Sequence, residues 1–439
     1  MGRREKITVG LDIGSTKICT LIAASRETGL EPIGFGVAES KGVKKGAVVN
    51  LEATVESIKK SVAEAEAMAQ CEVDQVFVGL AGPHIRSFNS KGVIPIAARS
   101  REITSDDVRR VIETARAVAL STDREILHIL PQEFTVDDQD GIGDPLGMVG
   151  TRLEVNVHIV TSSTTAEQNI VTAVNRSGLL VGDTVLEQIA AGEAVLSEDE
   201  KELGTVLMDI GGGKTNVAIY HHGAVRHTVV VPIGGEHFTN DIAVGLRTPI
   251  PEAERLKREQ GCAISTMADP ENVFEIVGIG SRQSRPVAQQ VLSDILQPRA
   301  EEIVHFLRNE IRSAGYERQA GAGVVLTGGG AMLKGFAELA EDILDLPVRI
   351  GISTGFLTPT LDHFKSTEPS PWISRNPERD LVEKKDAHVS ALQGPEFATV
   401  TGLVLYGEKR RKTHDFHEGA GPGFKKIFAK LRTFIGALT

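Results

Sequence analysis

Aromatic side chains are few. They make up 4% of the 439 residues and include one tryptophan, so no stacking platform for single-stranded nucleic acid is available. Positive charge is also in deficit: 48 Lys and Arg face 59 Asp and Glu, and the net charge of -11 argues against a general nucleic-acid partner. Cys19, Cys71 and Cys262 are odd in number and far apart, which fits neither a metal-ligand spacing nor a disulfide framework but suits a reducing cytoplasm. No apolar run reaches about 18 residues, so no transmembrane helix is expected. Residues 1–10 carry charge and run straight into a strand, leaving no apolar core for a secretory signal. Lys6 stands where a myristoylation signal has Ser or Thr.

What is present is a chain of 41% hydrophobic and 24% charged residues, soluble and globular in type and long enough for two or three domains. Its charge is uneven. Eight basic residues against Asp415 and Glu418 give residues 409–439 a charge of +6, leaving -17 elsewhere, which marks a tail with its own partner. The clearest organisation is an internal echo. Residues 7–23 read as strand, tight turn and strand around Asp12-Ile13-Gly14-Ser15-Thr16-Lys17, and residues 206–220 repeat the plan around Asp209-Ile210-Gly211-Gly212-Gly213-Lys214. Two similar lobes follow. Helical periodicity appears at residues 51–69, 236–244 and 251–260, and a helix over 105–119 opens with the cap pattern Thr104-Ser105-Asp106-Asp107. A short buried strand at 324–326 leads through Thr327-Gly328-Gly329-Gly330 into a helix over 333–344. Residues 362–386 read as a loop, and 407–423 as a flexible charged linker.

A strand that ends in Asp and a Gly-rich turn places backbone N–H groups and a carboxylate at one sheet edge. The amides can cradle phosphate oxygens, and the carboxylate can hold Mg²⁺ directly or through water. Lys17 and Lys214 add positive charge there. One such turn alone is often merely a hairpin; two in matching frames, with a third glycine cluster at 328–330, point to a nucleotide clamped between lobes. That cluster lets backbone approach an adenine or its α-phosphate, or simply gives a helix N-terminus room. A Walker A loop is excluded because Met208 stands where its first glycine belongs, and a Rossmann fingerprint because strands, not helices, follow the turns.

These motifs resemble the actin, heat-shock chaperone and sugar-kinase superfamily, and most closely its FtsA family of bacterial cell-division proteins. The resemblance rests on residues 9–17, 78–82, 208–216, 325–334 and 395–403, in family order along nearly the whole chain. It implies an α/β, actin-like two-lobed ATPase fold with duplicated mixed sheets, an inserted 1C subdomain and a C-terminal amphipathic helix. The implied division is 1A at 1–82, 163–203 and 387–406; 1C at 83–162; 2A at 204–230 and 298–361; 2B at 231–297; a linker at 407–423; and a helix at 424–439. ATP and Mg²⁺ are the implied cofactors. Asp12 and Asp209 would serve the metal, directly or through water. Gly14, Ser15, Thr16, Lys17, Gly211, Gly212, Gly213, Lys214, Thr215, Asn216, Gly235, Gly328, Gly329, Gly330 and Met332 would surround the nucleotide, with Glu254 and Lys257 at the ribose and adenine edge. Without the family, Glu254 and Lys257 read as a solvated i,i+3 pair. The family further implies binding of the FtsZ C-terminal tail at Arg299 and Glu302, which otherwise suit an ordinary helix N-terminus opened by Pro298.

Phe424, Ile427, Phe428, Leu431, Phe434, Ile435 and Leu438 recur at steps of three and four, while Lys425, Lys426, Lys430 and Arg432 fill other positions. A helix of about 24 Å can lie in an anionic membrane surface but not span it; docking on its own domain or a partner is the alternative. The expected function is an ATP-binding protein with at most slow hydrolysis, stacked head to tail with itself on the inner face of the cytoplasmic membrane at the division site. It would anchor FtsZ there and recruit later division proteins through 1C. A small-molecule kinase and a pilus-assembly adaptor of the same fold are the rival readings.

Overall fold

The computed structural model describes residues 6–97, 102–279, 284–356 and 392–415. Two five-stranded sheets share one plan. In the first, strands run Leu180–Leu186, Gln75–Leu80, Ile7–Ile13, Lys17–Arg26 and Gly29–Glu39 across the sheet. The second runs Ala224–Val231, Thr215–His221, Thr205–Ile210, Val324–Thr327 and Val348–Ile350. In each, the Asp-bearing strand pairs antiparallel with the strand after its turn and parallel with a later crossover strand. Such strands are covered on both faces and read as nearly continuous apolar text: all six residues of Thr205–Ile210 are buried. One apolar cluster runs from the first sheet into Leu207, Ala218, Tyr220, Val225 and Val325 of the second, joining the lobes at their base.

A separate four-stranded sheet, ordered Arg86–Pro95, Arg152–Ser163, Arg124–Val136 and Gln139–Ile142, packs the helix Ser105–Arg116 on a core of its own around Val111, Ile112, Phe134 and Leu153. That helix starts where the sequence places it, because Thr104 and Asp107 cap each other reciprocally. The helix over 51–69 is observed at Leu51–Ala69, those over 236–244 and 251–260 at Gly235–Leu246 and Ile250–Gln260.

Three expectations are corrected. The helix expected from 333 begins at Phe336, after a 3₁₀ turn at Gly329–Met332, because Gly335 adopts a left-handed φ of 77° that interrupts helical geometry. Pro298 opens no helix; it lies within the 25-residue helix Gln289–Ser313. An interior proline costs about 3 kcal/mol, but the stripe Leu292, Leu296, Ala300, Ile303, Val304, Leu307 and Ile311 is buried continuously through it and holds the helix together. Finally, the linker expected from 407 is helical as far as Asp415, within Ala398–Asp415. Its charges are anchors. Glu408 accepts from Thr8, Ser25 and Arg411, Lys409 pairs with Glu193, and Arg410 pairs with the buried Asp183. The remainder of the linker, the loop over 362–386 and the amphipathic stretch 424–439 lie outside the described residues. No helix among the described residues is long and apolar enough to cross a membrane.

Breaking a buried ion pair leaves its other charge unpaired, so Arg410→Met should lower unfolding free energy by about 3 kcal/mol in urea titration. A midpoint equal to that of the unaltered chain would mean the helix end is a free linker after all.

Candidate functional site

The two Gly-rich turns meet face to face between the lobes. A Cβ added to Gly212 would stand 2.3 Å from Thr16 Cγ2, and one added to Gly213 would stand 2.8 Å from Ser15 Oγ, so only glycine allows this approach. Behind the turns, Asp12 pairs across its hairpin with Cys19, and Asp209 across its own with Asn216. Asn216 Nδ2 donates to Asp209 Oδ2 at 3.1 Å and to Glu187 Oε2 at 3.0 Å. Lys214 Nζ donates to Glu187 Oε1 at 2.8 Å and to the Ala81 carbonyl at 3.1 Å, with only 4% of the residue exposed. Glu187 opens the buried helix Glu187–Val195 and is therefore held by two lobe-two side chains.

The sequence reading missed Glu187. Its signal was a carboxylate and an amide, Glu187-Gln188, heading a buried, alanine-rich helix that follows a strand. A charge is rarely buried unless paired or functional.

The cleft is over-supplied with negative charge. Burial, then the neighbouring Glu187 carboxylate, raises Asp12 well above the ordinary carboxylate range. The same two causes in the same order push Asp209 up to about 6. Asn216 Oδ1 is buried without a partner. Among the described residues no three His, Cys, Asp or Glu side chains converge tightly enough to chelate a metal directly.

The remaining residues divide. Gly328, at φ 82°, lies against the Asp209 strand, where a Cβ would be 2.4 Å from Asp209 Oδ1; a Cβ on Gly330 would be 2.3 Å from Ile210 Cγ2. Gly235 N–H donates to the Gly211 carbonyl, and Lys257 Nζ to the Gly235 carbonyl, Thr239 and Glu254. Glu254 and Lys257 thus form the expected i,i+3 ion pair, but a partly buried one that Lys257 ties to Gly235, beside the second turn. Met332 is exposed near Gly329. Lys17 Nζ donates to the Glu396 carbonyl at 2.7 Å and sits 3.7 Å above the Phe397 ring, while Thr215 Oγ1 donates to the Ile233 carbonyl. Away from the cleft, the Arg299 guanidinium grips Asp241 through Nε and Nη2 and also pairs with Glu302. Phe424, Ile427, Phe428, Leu431, Phe434, Ile435, Leu438, Lys425, Lys426, Lys430 and Arg432 lie outside the described residues.

Residues 206–402 match the family model described as cell division protein FtsA, and residues 82–161 the SHS2 domain inserted in that protein. The chain is 46% identical to the FtsA of Pseudomonas aeruginosa over 348 residues, covering 79% of this chain and 83% of the relative. It is 39% identical to the FtsA of Borreliella burgdorferi over 98% of this chain and 95% of the relative. Among solved structures, a PilM–PilN type IV pilus biogenesis complex is similar at 18% identity and a TM-score of 0.61, over 91% of this chain and 98% of that one. This last likeness is one of fold, which is actin-like.

Because the folded value of Asp209 lies above its ordinary 3.8, its proton-bound form is favoured by folding; that contribution is complete below about pH 4 and is lost as pH rises through about 6. Without ligand, Asp209→Asn should therefore stabilise the chain at pH 7.5 by roughly 3 kcal/mol, and the gain should vanish near pH 4 in denaturant titrations. Destabilisation of equal size at both pH values would contradict the electrostatic reading.

Proposed function

The chain belongs to the FtsA family of bacterial cell-division proteins, and on that premise we propose that it binds Mg-ATP in the interlobe cleft and tethers FtsZ filaments to the inner membrane surface. The observation that carries the nucleotide reading is the pair of aspartates, the partly buried Asp12 and the buried Asp209, set behind facing glycine turns with Lys214 between the lobes. Both aspartates and Glu187 would hold Mg²⁺ through its waters; the metal would neutralise charge on phosphate oxygens. The backbone of 14–16 and 211–213 would cradle the phosphates. Gly328, Gly329, Gly330, Glu254, Lys257 and Met332 would receive the nucleoside. Glu187, the cleft carboxylate nearest Lys214, is the group to orient a water for slow hydrolysis.

ATP would favour the closed arrangement of the lobes and thereby head-to-tail filaments, a heterologous contact that stays open-ended. The tail from Phe424 would lie in the anionic bilayer surface, its phenylalanines and leucines submerged and its four cations at the headgroups. Arg299 and Glu302 would meet the FtsZ tail, exchanging part of the Asp241 contact for peptide carboxylates. The inserted sheet, which has a core around Val111, Ile112, Phe134 and Leu153, would present the surface that later division proteins meet.

Co-sedimentation with anionic liposomes in Mg-ATP tests the tether. The full chain should pellet and carry FtsZ with it. Phe428→Glu with Phe434→Glu should leave both in the supernatant, while Arg299→Glu should leave only FtsZ there. Lipid binding by the double variant would refute the tail assignment, and FtsZ recruitment by Arg299→Glu would refute the peptide site.

A further inference from the structure

We propose that His84, at the root of the inserted sheet, binds the terminal phosphoryl group of a nucleoside triphosphate, so that the insertion distinguishes triphosphate from diphosphate. This deepens the nucleotide reading above and rests on it.

Residues 81–85 join strand Gln75–Leu80 of the first lobe to strand Arg86–Pro95 of the insertion. Lys214 reaches across the cleft to the carbonyl at the start of that joint, Ala81, at 3.1 Å. The same spot is closed by Gly46, where a Cβ would stand 2.0 Å from the Ala81 carbonyl oxygen and 3.0 Å from Lys214 Nζ; the Gly46 N–H in turn donates to Ser15 of the first turn. The His84 ring packs edge-on against Gly82, whose added Cβ would fall 2.6 Å from Cε1 and 2.7 Å from Nδ1. Its other nitrogen, Nε2, is buried and has no hydrogen-bond partner. A buried polar atom left unpaired is costly, so a partner is expected from outside the chain.

The chemistry of that partner follows from the surroundings. Burial first, then the positive Lys214 and Arg124, hold His84 down to about 4, so the ring is neutral near pH 7 and carries one N–H. Backbone amides of the two turns suffice for the inner phosphates of a nucleotide. Lys214 lies close enough to act electrostatically on the imidazole of His84, and an ammonium beside an imidazole N–H is a pair suited to one more anionic group.

The joint also has a mechanical output. The His84 carbonyl accepts from Arg124 Nη2 at 3.0 Å, and Arg124 grips Thr161 at both its carbonyl and its hydroxyl, so the two long central strands of the insertion converge on this residue. On the far side of Glu187, the insertion's His128 accepts the Leu186 N–H at 2.9 Å. At the second lobe, His158 bridges Asn89 and Thr228. The inserted sheet is thereby fastened on both sides of the Lys214–Glu187 pair and to the opposite lobe.

Calorimetric titration of the full chain with Mg-ATP and with Mg-ADP tests this. His84→Ala should weaken ATP about tenfold and leave ADP within about twofold, since one hydrogen bond to a charged oxygen is lost. His84→Gln, which keeps an N–H donor, should recover most of the ATP affinity. Unchanged ATP affinity in His84→Ala, or equal loss of both nucleotides, would overturn the proposal while leaving the nucleotide site standing. A wild-type chain that binds neither nucleotide would overturn the site and this role together.

Discussion

Everything in the cleft depends on one buried ionic contact, the pairing of Lys214 with Glu187. Burying two charges costs several kcal/mol each, and the cost is offset only when geometry and further hydrogen bonds are good. Here Asn216 completes the carboxylate of Glu187 and continues to Asp209, while the Ala81 carbonyl completes the ammonium of Lys214. The network therefore crosses from the helix of one lobe to the hairpin of the other. It ties the lobes at the cleft as the shared apolar cluster ties them at the base. A pair of this kind is weak evidence for stability in itself. Its better explanation is positional, because it fixes a cation and three carboxylates around a space bounded by backbone amides.

The duplicated sheets explain why the charges can be held there. Each Asp-bearing strand lies at the centre of its sheet; Asp209 is buried there, and Asp12 is partly buried near the end of its own strand. The raised proton affinity of Asp12 and Asp209 is the electrostatic expression of that constraint, and a divalent cation bound there would relieve it.

Much of this arrangement was legible in the sequence where the signal is local. The echo of Asp12-Ile13-Gly14 in Asp209-Ile210-Gly211 marked two lobes, and the Thr104 cap marked a helix start, because turn and cap chemistry act over a few residues. Glu187 was not legible as a site residue, since its partners Lys214 and Asn216 meet it only through the packing of lobes. The run Lys409-Arg410-Arg411-Lys412 read as a solvated linker for the same reason: Asp183, Glu193 and Thr8, which fasten that helix, are distant in sequence. Pro298 misled in another way. A local breaker was outweighed by a long apolar stripe that only tertiary burial rewards.

The central claim is that the buried carboxylates and Lys214 form one site that is complete only when metal and nucleotide arrive together. Thermal unfolding of the wild-type chain with ATP alone, Mg²⁺ alone and both tests this most directly, since a ligand stabilises in proportion to its occupancy of the folded state. The account predicts a rise in Tm that requires both components and is abolished by a chelator. An equal rise with ATP alone, or no rise with either combination, would contradict it.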